Sequence, residues 1–191
     1  ALCGSDLKSR GELSGDTIVA TVMSNLGFHV FARQAGVELV GTDVGDRNVL
    51  EEMLRHDYRI GGEQSGHTIF TALETTGDGE VTALQFLQVL ARSGKRASEL
   101  ASICAAYPQV LINVEVPHSG GVKEKIMASA ELAEAVKREE DALAGAGRVL
   151  VRASGTEALI RVMVEGKDEE AIAASADRIA VKINERIHAR K

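Results

Sequence analysis

The sequence predicts an α/β chain: a mixed, largely parallel α/β domain over residues 1–115, followed by a small α+β domain over residues 116–191. Three observations predict it. Short β-branched runs alternate with helix-period segments through the first part of the chain, the pattern of a parallel sheet with helical crossovers. Composition changes at Pro108 to Gly121, where Pro117-His118-Ser119-Gly120-Gly121 reads as a linker or exposed turn. Counting a strand around Val110 to Val116, the remainder has the order β-α-β-β-α.

Thr17 to Val22 is rich in β-branched residues and reads as a buried strand. Ser24 is placed to cap the next helix and Gly36 to stop it. Val37 to Val44 reads as a second strand, and Asp46 as the N-cap of a helix carrying Val49, Leu50 and Met53 at helical spacing. His67 to Leu73 reads as a third strand. Asp78 opens a helix expected to bury Val81, Leu84, Leu87 and Ala91 and to end at Gly94, and Ser98 begins a shorter one reaching about Ala106. In the second domain one long helix is expected over Lys123 to Leu143, with Leu132, Val136 and Leu143 inward and an i,i+4 pair of Glu134 with Arg138 on its wet side. Gly145 and Gly147 end it. Arg148 to Arg152 and Leu159 to Glu165 read as strands, the second burying Ile160, Val162 and Val164 and turning Arg161 to the opposite face. The last helix carries Ile172, Ala176, Ile179, Ile183 and Ile187 on one stripe.

With 191 residues, 45% of them apolar and 26% charged, the chain can bury a sizeable core as one large or two small domains. Cys3 and Cys104 are too few for a disulfide framework or a metal cluster, which points to a reducing compartment and a cytoplasmic location. No apolar run approaches the roughly 20 residues of a membrane span, and no basic-then-apolar leader is present. A net charge of −6 argues against nucleic-acid binding, so any phosphate ligand has to be held by local positive charge. Ala1-Leu2-Cys3 reads as the tail of an element already under way, so a fragment is expected. A homodimer is compatible with this sequence.

The run Arg152-Ala153-Ser154-Gly155-Thr156-Glu157-Ala158-Leu159-Ile160-Arg161 is the strongest chemical signal. Arg152 and Arg161 bracket a turn whose amides and two hydroxyls, Ser154 and Thr156, can meet one anion, while Gly155 keeps the backbone open. The alternative is a tight β-connection with solvated arginines. Gly61-Gly62-Glu63-Gln64-Ser65-Gly66-His67 has the makings of a sugar-hydroxyl reader: Glu63 accepts from vicinal hydroxyls, Ser65 donates or accepts, and histidine is the natural acid–base side chain near neutrality. The alternative there is a glycine-rich turn with a satisfied His67. Arg47, at a strand-to-helix junction, reads equally as an active-site cation or a first-turn residue. Thr75-Thr76-Gly77-Asp78-Gly79-Glu80 lacks the carboxylate spacing of a calcium loop and reads as a turn plus helix cap. His29, His56, His118 and His188 show no ligand spacing, and Cys104 reads as inert.

These segments, in this order, resemble the α-D-phosphohexomutase superfamily, and most closely its phosphoglucosamine mutase branch. Thr21-Val22-Met23-Ser24-Asn25-Leu26-Gly27, Val44-Gly45-Asp46-Arg47, Gly61 to His67, Thr75 to Gly79 and Arg152 to Glu157 carry the resemblance across nearly the whole chain. It implies the third and fourth domains of a four-domain enzyme, without the first-domain serine that carries the phosphoryl group and without the three-aspartate loop that holds magnesium; no metal ligand is expected here. It further implies that Glu63, Ser65 and Gly66 grip the sugar, that His67 and Arg47 lie near the reacting group, and that Arg152, Ser154, Gly155, Thr156 and Arg161 hold the phosphate not being transferred. The implied reaction interconverts glucosamine 6-phosphate and glucosamine 1-phosphate through a bisphosphorylated sugar, with the N-terminal domains of the same enzyme as partner. Ala158 stands where the family usually has proline, which predicts a looser turn. Alternatives are a phosphomannomutase or phosphoglucomutase fragment, or a non-catalytic sugar-phosphate binding module.

Overall fold

The computed structural model describes residues 1–118 and 121–189. Ser119 and Gly120, in the expected Pro117 to Gly121 turn, lie outside the described residues. The chain divides into two compact units, Ala1–Ala106 and Tyr107–Lys191. The division lies upstream of the expected 115/116 boundary because the strand Gln109–Glu115 is laddered into the second unit's sheet.

In the first unit, strands β1 (Thr17–Thr21), β2 (Glu38–Thr42), β3 (Ile60–Gly62) and β4 (Thr68–Phe70) form one sheet in the order β2-β1-β3-β4. β1 pairs parallel with both β2 and β3, and β4 runs antiparallel to β3. The helices are α1 (Leu2–Ser9), α2 (Leu26–Ala35), α3 (Asp46–His56), α4 (Gly79–Ser93) and the one-turn α5 (Ala97–Leu100), which passes into a 3₁₀ turn at Ala101–Ile103. Alternation along β1 splits the core. Ile18 joins Phe31, Val37, Ile60 and Phe70 on one face, while Val19 meets Val49, Met53 and Ile69 on the other. Both faces of β1 are therefore buried, as in a helix–sheet–helix layering.

Four expectations are corrected in this unit. Asn25, not Ser24, caps α2, its Oδ1 accepting from Gly27 N at 2.9 Å. Gly45, not Asp46, holds the N-cap position of α3, and Asp46 Oδ1 accepts from Arg47 N at 2.8 Å. The strand expected over His67 to Leu73 is the shorter β4, and a further strand not expected from the sequence, β3, precedes it. Two glycines hid β3, yet Gly61 is where α3 presses on the sheet, since a Cβ there would lie 2.5 Å from Met53 Sδ. On α4, Val81 packs inward as expected, but Leu84 and Leu87 are 59% and 53% exposed, and Val89 is buried in their place. Asp78 does cap α4, accepting from the amides of Glu80 and Val81, and Gly94 ends it.

The second unit has the three-stranded antiparallel sheet β5 (Gln109–Glu115), β6 (Gly147–Ala153) and β7 (Leu159–Gly166) in the order β5-β7-β6, with helices α6 (Val122–Met127), α7 (Ala130–Ala142) and α8 (Glu169–His188). The single helix expected over Lys123 to Leu143 is broken, because Ser129 Oγ accepts from Leu132 N and starts α7 afresh. Arg138 lies against Glu139 at 3.9 Å rather than pairing with Glu134. Ile160, Val162 and Val164 on the central strand are fully buried with Ile172, Ala176, Ile179 and Ile183 of α8. Glu165, on the opposite face, is also buried and meets Arg148 at 3.1 Å.

Glu139 of α7 is 4% exposed and takes two guanidinium nitrogens of Arg178 at 2.7–3.1 Å. Hydrogen bonding from Arg178 holds the Glu139 pKa below the ordinary carboxylate value against its burial. A depressed folded pKa means that this stabilisation is present above the unfolded value, about 4.3, and is lost as pH falls through the folded one. Arg178→Ala is expected to cost about 1.5–3 kcal/mol at pH 7 in urea unfolding. The gap from the unsubstituted chain should close at acid pH; a gap independent of pH contradicts the assignment.

Candidate functional site

Two clusters gather the residues singled out in the sequence, one in each unit. The first lies at the carboxyl ends of β1, β2 and β3, where ligands collect in open α/β sheets. The β3–β4 connection folds Glu63 back into the protein. Its side chain is 11% exposed, and the carboxylate lies 2.5 Å from Ser65 Oγ, 3.1 Å from His67 Nδ1 and 3.2 Å from Gly45 N. Ser65 donation is the largest influence keeping the Glu63 pKa below its ordinary value; partial burial opposes it, and His67 and Gly45 add to it. The Gly45 amide belongs to the β2–α3 turn, so one carboxylate ties that turn to the β3–β4 loop.

His67 is 53% exposed, and its Nδ1 is 3.1 Å from both Ser65 Oγ and Glu63 Oε1. Because Ser65 spends its proton on Glu63, these contacts favour the tautomer with hydrogen on Nδ1, which leaves Nε2 outside the cluster. The ring packs on Gly77, where a Cβ would meet His67 Cβ at 3.0 Å and Cδ2 at 3.2 Å. Gly77 thus lets the α4 approach loop close on the imidazole, a role with no signal in the linear sequence. Gly66 sits exposed at the tip with φ 104°, its amide donated to Glu63 O. Arg47 is not drawn into this network: its side chain is 86% exposed and its guanidinium is held by Glu51 at 2.7 Å. A cleft of about 260 Å³ beside the cluster is lined by Ser24, Asn25, Glu63 and Gln64. A larger one, about 660 Å³, lies at the opposite, amino-terminal end of β1 and β3, against Leu7, Arg10, Phe70 and Leu73, and touches none of the candidate residues.

The second cluster is the β6–β7 turn. Antiparallel register places Arg152 directly across from Arg161. Each guanidinium has a buried Nε without a partner among the described residues. Burial first, and the neighbouring Arg161 second, lower the Arg152 pKa from its ordinary value. Ser154 is buried, its Oγ accepting from Glu157 N at 3.2 Å and its carbonyl from Lys123 Nζ at 2.6 Å. Lys123 Nζ also reaches Glu157 O at 3.3 Å. With these carbonyls tied to Lys123, Gly155 and Thr156 stand exposed beside a cleft of about 190 Å³ that Lys123 and His118 help line. A Cβ on Gly155 would meet nothing within 4 Å, so packing does not demand glycine there.

The turn is also pinned at Ala158, whose carbonyl accepts from Val116 N at 2.9 Å, so it is held without the expected proline. Arg161 Nη2 donates to Glu157 Oε2 at 2.6 Å. Glu157 lies four residues before Arg161 and was detectable by spacing; Lys123, 31 residues before Ser154, was not.

Among the described residues no group of three or more histidine, cysteine or carboxylate side chains could hold a metal ion, and no helix is long and apolar enough to cross a membrane. Asp78 is committed to capping α4 and does not fit a magnesium site.

Residues 1–107 match the family model "Phosphoglucomutase/phosphomannomutase, alpha/beta/alpha domain III", and residues 111–182 match the C-terminal domain of the same family. The chain is 48% identical over 188 residues to a phosphoglucosamine mutase of Caldanaerobacter subterraneus subsp. tengcongensis, covering 98% of this chain and 42% of that one. It is 51% identical over 180 residues to that of Syntrophotalea carbinolica, covering 94% and 38%. It thus spans about two fifths of the length of these relatives. Among solved structures, Aspergillus fumigatus N-acetylphosphoglucosamine mutase superposes with a TM-score of 0.78 at 18% identity over 97% of this chain and 42% of that one. The same enzyme in complex with GlcNAc-6P and magnesium gives 0.75 at 19%, over 97% and 43%. At these identities the likeness shows the fold.

Lys123→Met removes a charge-assisted bond of the class worth about 1.5–3 kcal/mol. Faster amide exchange is expected at Glu157 while α8 keeps its protection. Unchanged exchange at Glu157 contradicts the tie.

Proposed function

The chain belongs to the phosphoglucomutase/phosphomannomutase family, and from that premise we propose that it is the sugar- and phosphate-binding portion of a cytoplasmic phosphoglucosamine mutase. The reaction is the interconversion of glucosamine 6-phosphate and glucosamine 1-phosphate through a bisphosphorylated sugar. The observation that carries the reading is the cross-strand pair Arg152 and Arg161, two guanidiniums side by side at the root of a turn with exposed Gly155 and Thr156. Like charges so placed are stabilised by an anion that both can fork. A sugar phosphate supplies one.

The work of these residues is positioning and charge stabilisation, most of what phosphoryl transfer asks of a protein. Arg152 and Arg161 neutralise the phosphate not being transferred, with the Gly155 and Thr156 amides and the Thr156 hydroxyl completing the cradle. Ser154, spent on the Glu157 amide, shapes that cradle more than it donates to the ligand. Glu63, kept ionised by Ser65, accepts sugar hydroxyls. His67 offers Nε2 to move a proton at the reacting oxygen, and Arg47 joins by leaving Glu51. In this reading magnesium and the phosphoryl-carrying serine would be supplied by the N-terminal domains that the resemblance implies; among the described residues no group of three fits a metal ion. Relatives near half identity favour glucosamine as the sugar; the family model's own description keeps phosphoglucomutase and phosphomannomutase as the second reading.

Calorimetry with glucosamine 6-phosphate tests the clamp. Arg152→Ala or Arg161→Ala is expected to weaken binding about tenfold or more, from loss of charge-assisted donors worth about 1.5–3 kcal/mol. Gly155→Ala should keep thermal stability while hindering the ligand's approach. Unchanged affinity in both arginine variants contradicts the proposal. The purified chain alone is expected to show no mutase turnover, and measurable conversion free of host enzyme would refute the division of labour.

A further inference from the structure

The geometry points to Glu157 as an internal counter-ion that takes the place of the ligand's phosphate on Arg161 and has to leave when an anion binds. The inference rests on the phosphate-clamp reading above and deepens it. Glu157 Oε2 accepts from Arg161 Nη2 at 2.6 Å and lies 3.4 Å from Ser154 Oγ, so one carboxylate oxygen sits against two residues of the clamp. The backbone of Glu157 is fixed, its amide donated to Ser154 Oγ and its carbonyl within reach of Lys123 Nζ. Its side chain is 54% exposed and free to rotate into water.

Carboxylate and phosphate compete for the same forked donor. A phosphate on Arg161 with Glu157 still in place would set two negative charges within contact distance, which the guanidinium cannot fully offset. Rotation of Glu157 into solvent removes the conflict at the cost of one partly exposed ion pair. The reverse matters as much. When the anion departs, a tethered carboxylate is at hand to cover Arg161, so release does not leave two facing guanidiniums bare. Glu157 thus lowers the affinity of the clamp and speeds its emptying, which suits a site that has to let go of one phosphate in every cycle. Glu157 is a positioning residue in this scheme, acting through Arg161 without touching substrate.

The test is an NMR titration of the 191-residue chain with inorganic phosphate and with glucosamine 6-phosphate, comparing the unsubstituted protein with Glu157→Gln and Glu157→Ala. Both variants are expected to bind about two- to fivefold tighter, the equivalent of an exposed ion pair, and to show slower dissociation by lineshape. Glu157→Gln added to Arg161→Ala should change nothing further. If the unsubstituted chain binds and both variants bind equally or more weakly, the counter-ion role is overturned while the clamp stands. If no form binds either probe, the clamp reading fails and takes the inference with it.

Discussion

Two guanidiniums facing each other across an antiparallel ladder are the constraint around which the second unit is organised. Pairing of β6 with β7 fixes Arg152 against Arg161, and the hydrophobic alternation of β7 leaves no other face for Arg161. Ile160, Val162 and Val164 have to meet α8, and a one-residue slip would drive the arginine into that core. The repulsion is therefore enforced by packing, and the turn between the strands is where it can be relieved. Lys123 holds the turn by its carbonyls and Glu157 supplies the local negative charge.

The first unit handles the opposite problem, a carboxylate drawn mostly out of water. Glu63 is satisfied by three donors from one loop and from the neighbouring β2–α3 turn. Each donor favours the ionised form, so the group stays an acceptor, suited to hydroxyls. The same contacts orient His67 and commit its Nδ1. The network is short in sequence but depends on support from outside the loop, because Gly77 lets the α4 approach loop close on His67.

How much was legible follows from where each signal resides. β1 was plain in its β-branched run, and the caps at Asp78 and Gly94 in their residue types, because those preferences are local. β3 was hidden because its glycines serve packing against α3, which propensity does not see. On α4 Val81 was legible as an inward residue, but apolar count alone also favours Leu84 and Leu87, and only tertiary contact selects Val89 over them. The break at Ser129 was readable as a cap but was masked by charged residues at helical spacing on both sides. At the candidate site the arginine-flanked turn and the Glu63-Ser65-His67 spacing were visible. The Lys123 tie was not, since it spans 31 residues. Arg47 shows the opposite limit: its position at a strand-to-helix junction was suggestive, yet an ion pair with Glu51 on its own helix holds it in solvent.

The most direct measurement is a crystal of this chain soaked with glucosamine 6-phosphate. The expected result is a phosphate within hydrogen-bonding distance of both Arg152 and Arg161 and of the Gly155 and Thr156 amides, with Glu157 turned away. Phosphate bound elsewhere, with Arg161 still on Glu157, would contradict the claim that this pair of arginines is an anion clamp.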